Sequence, residues 1–182
     1  MLRLPNPWLL NGATTHPVRQ WFLVHRTTAD GWVQVLLPER PNGKVGWIAP
    51  RAAQLLVDPY RIEVSLHHHR IVVSRDGATV YRGQVATGAP ATPTPTGLFY
   101  LRVLLHATDP ESVYGPYAYG LSAHSEALTT FNGGDAEIGI HGNDDPSVLG
   151  SSVTHGCIRM DNGEIAQLAG QLPLGTPVRI RE

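Results

Sequence analysis

The eight-residue stretch VTHGCIRM, residues 153–160, contains the one cysteine of the 182-residue chain. This cysteine, Cys157, has His155 two residues before it, Gly156 directly before it and Arg159 two residues after it. A structural cysteine fills space and needs no particular neighbours, whereas a reactive thiol needs polar groups that accept its proton or stabilise its charge. The segment therefore predicts a nucleophilic thiol.

Two histidines are candidates for the base that takes the proton of this thiol. His155 is near in sequence, but in an extended turn its ring can point along the chain. His141 ends a short apolar strand (residues 138–140) and lies sixteen positions before Cys157. A strand, a loop and a return of that length can bring the two side chains together, so we favour His141. An imidazolium beside the sulfur is expected to lower the thiol pKa.

The turn around the cysteine also supplies candidate groups for the oxyanion and the substrate. Gly156 lets the backbone turn closely beneath the thiol. The amides of Gly156 and Cys157 are the predicted oxyanion hole, in which one donor is typically worth about 2.7 to 4 kcal/mol of transition-state stabilisation. Arg159 has two roles that we weigh equally: a two-pronged contact with a substrate carboxylate, or a contact with backbone carbonyls of the loop.

A zinc site is the main alternative for the same side chains. Its ligands would be His141, His155 and Cys157, with His124 or Asp144 as the fourth. The sequence has no Cys-x-x-Cys or His-Glu-x-x-His spacing, which disfavours a metal centre. The three histidines at residues 67–69 are better explained as a polar turn at a strand end. We therefore predict an enzyme that uses no metal or other cofactor.

Composition narrows the class of protein and of partner. The chain has 42% hydrophobic and 16% charged residues and a formal net charge of −1, so charge gives no reason to expect nucleic acid or an anionic membrane as a partner. No apolar stretch approaches the roughly 18 residues of a membrane span. The 15 prolines and 19 glycines interrupt the chain at short intervals, which is typical of β proteins with many tight turns.

The first part of the chain, residues 1–57, is predicted to be a small β module. Two apolar runs flank the PNG segment at residues 41–43, and Asn-Gly accepts the positive φ of a hairpin turn. The VDPYR segment at residues 57–61 is predicted to be a linker. We expect the large side chains of this module to build its core rather than line a ligand groove; they are Trp21, Trp32 and Trp47.

The second part, residues 58–182, is predicted to be a separate, mainly β domain. Its first strands alternate in hydrophobicity, and Asp76-Gly77 marks a hairpin turn between them. Residues 114–135 are rich in glycine and aromatic residues with weak periodicity, which favours a loop or lid. The segment MDNGEIAQLAG predicts one short helix, with Asp161 as its N-cap and Gly170 as its end. A final strand closes the chain.

These motifs resemble a known family. IGIHG followed by THGCIRM is similar to the signature of the L,D-transpeptidases, the YkuD-type catalytic domain: a histidine, a variable gap, then Ser/Thr-His-Gly-Cys, an apolar residue and Arg or Asn. Thr154 stands where serine is more frequent. VATGAPATPTPTGLFYL, YGPYAYGLSAHS and LPLGTPVRI resemble further segments of the family, so the resemblance spans about residues 60–182. More weakly, the first module resembles the SH3-like β domains that precede this catalytic domain in some bacteria.

The resemblance implies a mainly β, sandwich-like catalytic domain with one short helix after the catalytic loop. It also implies attack by the cysteine on a peptidoglycan stem tetrapeptide, at the bond between the third residue, a diamino acid such as meso-diaminopimelate, and the terminal D-alanine. D-Alanine leaves, and an amine of a second stem peptide resolves the thioester into a 3→3 cross-link. Carbapenems are implied as covalent inhibitors. The implied location is the bacterial envelope, with the signal sequence removed from this chain.

Carried over by position, the resemblance gives each motif residue a role. Cys157 is the nucleophile and His141 the base, and His155 and Gly156 belong to the catalytic loop. A group just after the base is implied to orient it. The implied orienting group is the carbonyl of Gly142, with Asn143 as the alternative. Arg159 is implied to stabilise the loop or to bind a carboxylate. Tyr114 lies where the family's lid begins, so it is implied to cover the donor peptide.

Two other functions stay open at this point. An L,D-carboxypeptidase would form the same thioester and let water resolve it, because the choice of acceptor depends on the shape of the lid and on water exclusion. A catalytically inactive peptidoglycan-binding module is the third reading. The presence of Cys157, His141 and His155 argues against it.

Overall fold

A computed structural model describes residues 20–182, and within that range the chain forms thirteen β-strands, one α-helix and a short 3-10 turn. The strands are β1 (Val24–Thr27), β2 (Val33–Leu36), β3 (Val45–Ile48), β4 (Tyr60–Ser65), β5 (Arg70–Arg75), β6 (Ala78–Gln84), β7 (Thr87–Gly88), β8 (Gly97–His106), β9 (Tyr117–His124), β10 (Glu137–His141), β11 (Ser152–Thr154), β12 (Ile158–Arg159) and β13 (Pro177–Arg181). The helix α1 spans Asn162–Ala169 and the 3-10 turn spans Pro146–Val148. None of the described helices has the length and hydropathy to cross a bilayer.

Eight strands form the main sheet, in the order β12-β10-β9-β8-β13-β4-β5-β6. Most neighbours are antiparallel, but β13 pairs in parallel with β4, and β12 pairs in parallel with β10. The predicted turn at Asp76-Gly77 joins β5 to β6, with φ of 51° and 83° at the two residues. A separate small ladder pairs β7 with β11. The prediction of a mainly β fold with one helix is confirmed.

The core lies inside the curve of this sheet. Buried side chains from β4 and β5 at one end of the sheet and from β9 and β10 at the other end join one apolar cluster, to which α1 contributes Ile165 and Leu168. The alternation predicted for β4 is present, because Ile62 and Val64 are fully buried. The sheet therefore curls until its two ends share a core.

Helix α1 begins where the sequence predicts. The side chain of Asp161 accepts hydrogen bonds from the amides of Gly163 and Glu164, which lack partners inside the helix. Gly170 is the C-cap residue. The carboxylate of Glu164 accepts a hydrogen bond from the hydroxyl of Tyr81 on β6. The helix is thereby fixed beside the sheet, directly after β12.

The first sheet, β1-β2-β3, confirms the predicted hairpin but not the predicted core. Strands β2 and β3 pair across the PNG segment. Trp32 and Trp47 are 40% and 44% exposed, and the guanidinium of Arg26 lies 5.1 Å from the ring centroid of Trp47. The central strand β2 fills the interior with Val33, Val35 and Leu36. The indoles of Trp32 and Trp47 thus remain largely at the surface, whereas Trp21 is half-buried and lies near Gly175.

Two further predictions need correction. The predicted linker at residues 57–61 ends early, because Tyr60 already begins β4. Within the predicted lid, residues 117–124 form β9 between β8 and β10. The core face of β9 carries Tyr119, Leu121 and Ala123, whereas its other face carries alanine, glycine and polar residues. This alternation was a usable signal for a half-buried strand. The part of the predicted first module before residue 20 lies outside the described residues.

Candidate active site

The parallel pairing of β10 with β12 places Cys157 near His141, the predicted base. Ile140 is opposite Ile158 and His141 is opposite Arg159, so Cys157, directly before β12, lies beside Gly139. The amide of Gly139 donates a hydrogen bond to the sulfur at 3.3 Å. Residues 137, 139 and 141 share one face of β10, because side chains alternate along a strand. The thiol therefore lies against the face that carries His141.

Gly139 provides the space in which the two side chains approach each other. A Cβ at this position would lie 3.9 Å from the sulfur of Cys157 and 3.7 Å from Cδ2 of His141. The same Cβ would lie 3.1 Å from the carbonyl oxygen of Tyr119, which is tighter than ordinary packing. Because Gly139 has no side chain, the thiol and the imidazole can both lie next to its backbone.

The ring of His141 is held by its own neighbour. Nδ1 lies 2.7 Å from the carbonyl oxygen of Gly142, so this nitrogen carries the proton and donates it to the carbonyl. Nε2 is then the basic nitrogen of the neutral ring. Burial lowers the pKa of His141 to about 4; the Gly142 hydrogen bond opposes this effect and the charge of Arg159 adds to it. At neutral pH the imidazole is uncharged and ready to accept a proton.

The thiol of Cys157 is also uncharged at rest. Burial raises its pKa, while the Gly139 amide and the positive charge of Arg159 act in the opposite direction. This differs from the expectation that an imidazolium lowers the pKa of the free enzyme's thiol. The difference arises because burial disfavours the charged form of each group. Both pKa shifts favour a neutral thiol beside a neutral imidazole.

Thr154 holds the catalytic loop in shape. Its hydroxyl donates to the carbonyl of Cys157 at 2.6 Å and accepts from the amide of Gly156 at 3.2 Å. The hydroxyl of Thr94 donates to the carbonyl of Gly156 at 2.8 Å. Gly156 has φ of +117°, and a Cβ there would lie 2.9 Å from Ile138, so this position requires glycine. Its amide, predicted as an oxyanion donor, donates to Thr154, which leaves the Cys157 amide as the other predicted donor.

The other predicted residues, His155, Tyr114 and Arg159, each contact a different neighbour. The exposed ring of His155 lies 5.2 Å from the ring of Phe131, centroid to centroid. Tyr114 lies edge-on to His141 with a centroid distance of 5.0 Å. Arg159 is 3.5 Å from the carboxylate of Asp144, and its backbone exchanges two hydrogen bonds with Ala86. His155 and Tyr114 therefore form walls of the site, and the charge of Arg159 lies near both reacting groups.

Asn143 fixes the backbone that follows His141. Its side-chain amide donates to the carbonyl of Met160 at 2.7 Å, and its backbone amide donates to the side chain of Asn162 at 2.8 Å. The amide of Met160 donates to the carbonyl of His141 at 2.9 Å. These bonds join the end of β10 to the catalytic loop and to α1. The group that contacts the His141 ring is the Gly142 carbonyl, and Asn143 contacts backbone instead.

The candidate zinc ligands do not form a cluster. Among residues 20–182, no group of three or more His, Cys, Asp and Glu side chains is arranged to hold a metal ion. His124 Nε2 lies 3.0 Å from the carboxylate of Asp135. In the histidine run, the rings of His67 and His68 pack edge to face, and His69 contacts the hydroxyl of Ser152 at 2.9 Å.

Sequence reasoning missed two groups of residues around the site. Glu137, on the same face of β10 as His141, pairs with Arg102 at 3.1 Å, and burial raises the pKa of Glu137. Its spacing of two from Gly139 and four from His141 was a usable signal, because such residues share a strand face. The second group is Phe131 and Asn132, which contact His155 and Tyr114. They lie in a loop whose path the sequence does not reveal.

Comparison with known proteins identifies the family of the chain. The sequence profile of the YkuD L,D-transpeptidase catalytic domain matches residues 59–180. The chain is 30% identical over 174 residues to the Bacillus subtilis (strain 168) protein YkuD, and the alignment covers 91% of this chain and 98% of that protein.

Solved structures are similar as well. The Ldtfm-avibactam carbamoyl enzyme is 25% identical, with a TM-score of 0.53 over 69% of this chain and 50% of that one. An L,D-transpeptidase from Mycobacterium tuberculosis is 17% identical, with a TM-score of 0.56 over 90% of this chain and 94% of that one. The second likeness concerns the fold alone.

Proposed function

Because the chain belongs to the L,D-transpeptidase catalytic-domain (YkuD) family, we propose that it is a cysteine L,D-transpeptidase acting on peptidoglycan. Its donor is a stem tetrapeptide, which acylates Cys157 through the carbonyl of the third residue, a diamino acid. D-Alanine is released, and an amine of a second stem peptide takes the acyl group in a 3→3 cross-link. The reaction needs no metal or other cofactor.

The main support for this proposal is that the side chains of His141 and Cys157 both lie next to Gly139. A Cβ at residue 139 would lie within 4 Å of both side chains. The Gly142 carbonyl holds Nδ1 of the ring, which leaves Nε2 as the acceptor. A nucleophile beside an oriented base is the arrangement that thiol acyl transfer requires.

In the acylation step, the S–H proton of Cys157 passes to Nε2 of His141 as the sulfur attacks the donor carbonyl. The C–S bond forms, and the carbonyl oxygen becomes an oxyanion that the backbone amide of Cys157 stabilises. The imidazolium then returns its proton to the nitrogen of D-alanine while the C–N bond breaks. D-Alanine leaves with a neutral amine, and the thioester remains on Cys157.

In the second step, the amine of the acceptor gives a proton to His141 and attacks the thioester. The C–N bond forms, the C–S bond breaks, and the thiolate recovers the proton from the imidazolium. Water in place of the amine would give a carboxypeptidase. Arg159 is proposed to stabilise the catalytic loop or a donor carboxylate, and Tyr114 to cover the donor peptide next to His141.

The domain organisation and location belong to the same proposal. We assign residues 58–182 to the catalytic domain and residues 1–57 to an SH3-like module, and we place the protein in the bacterial envelope, where its substrate occurs. Ldtfm forms a carbamoyl enzyme with avibactam, which supports covalent reaction of acylating inhibitors with this protein. We expect carbapenems to acylate Cys157.

Two mass-spectrometric measurements test the proposal. Wild type exposed to a carbapenem should gain the mass of the drug, and Cys157→Ala should gain nothing. A disaccharide-tetrapeptide incubated with the protein should then give cross-linked dimers, whereas tripeptide alone would establish a carboxypeptidase. If neither adduct nor product forms, the protein is an inactive peptidoglycan-binding module and the enzyme assignment is wrong.

A further inference from the structure

The segment between β9 and β10, residues 125–136, forms a small folded wall beside the active site, and we name it the wall loop. Its tip is a tight turn in which Phe131 and Gly134 exchange two backbone hydrogen bonds of 3.1 and 2.9 Å. Asn132 and Gly133 occupy the two central positions with φ of 49° and 78°, as Asn-Gly turns do. The tip therefore has a defined shape in which the side chain of Phe131 has a fixed direction.

The wall loop contacts the residues that surround the reacting groups. The ring of Phe131 packs on His155 of the catalytic loop, with a centroid distance of 5.2 Å. The side-chain amide of Asn132 donates to the hydroxyl of Tyr114 at 3.3 Å, and Tyr114 lies against His141. The tip thus contacts both His155 and Tyr114.

A residue of the first sheet holds this loop. Arg40, in the connection between β2 and β3, donates through its guanidinium to the backbone carbonyls of Ser125, Leu128 and Asp135. Its Nε also lies 3.5 Å from the carboxylate of Asp135. These acceptors lie near the start, the middle and the end of the wall loop. One planar cation therefore joins three points of the loop, which a single flexible ammonium cannot do.

A second side chain of the same connection adds to this contact. Asn42 accepts a hydrogen bond from the amide of His124 at 2.9 Å and donates to the carbonyl of His124 at 2.8 Å. His124 is the last residue of β9, directly before the wall loop. The β2–β3 connection thus pairs with the end of the strand and binds the loop that follows it.

From these contacts we propose that Arg40 is a positioning residue of the active site. It acts through the wall loop: it fixes the turn that carries Phe131 and Asn132, and these fix the facing sides of His155 and Tyr114. The first sheet therefore supports the cleft indirectly, through the wall loop. The proposal rests on the proposed function, since the cleft must bind a donor for the position of its walls to matter.

Amide hydrogen exchange tests the structural part without any reaction. In Arg40→Ala we expect the amides of Phe131 and Gly134 to exchange at least about 10-fold faster than in wild type, because the loop opens more easily. Amides of the sheet core serve as the internal reference and should be unchanged. The matched control is Lys44→Ala, which removes a cation of the same connection that pairs with Glu39 at the surface.

A double-mutant cycle tests the functional part. We expect Arg40→Ala and Phe131→Ala each to lower the second-order rate of carbapenem acylation about 5- to 20-fold, mainly through weaker initial binding. Arg40→Lys should recover only part of the loss, because one ammonium cannot reach all three carbonyls. The double variant should lose no more than the worse single variant, since both act on the same element.

The outcomes separate the two proposals. Unchanged exchange in the wall loop of Arg40→Ala, or single-variant losses that multiply in the double variant, would overturn the role of Arg40. A wild-type protein that neither a carbapenem nor a stem peptide acylates would overturn the proposed function instead. In that case the exchange measurement still decides whether Arg40 holds the wall loop.

Discussion

Nδ1 of His141 lies 2.7 Å from the carbonyl oxygen of Gly142, and this contact decides which ring nitrogen is basic. Because a carbonyl only accepts hydrogen bonds, the ring must keep its proton on Nδ1 and use Nε2 towards the substrate side. The orienting group is part of the backbone of the next residue. It therefore cannot be removed by a side-chain substitution, and the base itself is the position to test.

Replacement of His141 by alanine should lower acylation by a carbapenem at least about 100-fold, the lower range for loss of a general base. His155→Ala is the matched control, because the ring of His155 packs on Phe131 rather than beside the sulfur, and it should retain most of the rate. Stopped-flow fluorescence or timed intact-mass measurements would give both values. If His155→Ala lost most of its acylation rate and His141→Ala kept a nearly normal rate, our assignment of the base would be wrong.

Acylation should be nearly independent of pH from neutrality down to about pH 5 and should fall as pH drops through about 4. The reason is that burial lowers the pKa of His141 to about 4. The imidazole therefore stays unprotonated, and able to act as a base, at pH values where an exposed histidine would be protonated. Rates measured between pH 3.5 and 8 in buffers of constant ionic strength would test this. A fall centred near pH 6.5 would mean that the ring titrates as an exposed histidine does.

The same pKa has a consequence for stability. In the unfolded chain His141 binds a proton below about pH 6.5, whereas in the folded protein it does so only below about pH 4. The free energy of unfolding therefore falls as the pH falls through this window. The pKa difference corresponds to about 3 kcal/mol. Urea unfolding at pH 7 and pH 4.5 should show a larger loss for wild type than for His141→Gln. Equal losses would assign the acid sensitivity to other groups.

Gly139→Ala should slow acylation about 10-fold or more while the protein still folds. The added methyl group would contact both the sulfur of Cys157 and the ring of His141, and it would press on the Tyr119 carbonyl at 3.1 Å. Gly170→Ala, at the end of α1 with ordinary spacing to its neighbours, is the control. Thermal unfolding and acylation rates should be measured on the same samples. An unimpaired Gly139→Ala would show that the open backbone patch is dispensable.

Thr154→Val should lower stability by about 1 to 3 kcal/mol and slow acylation, because the Gly156 amide and the Cys157 carbonyl both lose their partner. Thr154→Ser keeps the hydroxyl and should behave as wild type within about 2-fold. Unfolding by urea and carbapenem acylation report the two effects. If valine and serine behave alike, the hydroxyl does not hold the catalytic loop.

Local interactions explain which elements could be predicted from the sequence. The cap of Asp161, the turn at Asp76-Gly77 and the hairpin around residues 41–43 each depend on hydrogen bonds or φ values within a few residues. The alternation of β4 predicts its buried face for the same reason. Strand β9 alternates in the same way, but the residues that follow it, 125–136, have no periodicity, and the combined segment favoured a loop.

The residue types of the catalytic loop, the spacing between His141 and Cys157 and the family resemblance are properties of the sequence by itself, since they need no knowledge of the path of the chain. The tertiary structure decided the rest. It set the parallel register that puts Cys157 beside Gly139, and the burial that raises the pKa of the thiol and lowers that of the imidazole. It also decided that Arg40, 85 to 95 residues from two of its partners, binds the wall loop. Such contacts depend on how distant segments pack, and sequence-local patterns carry no record of that packing.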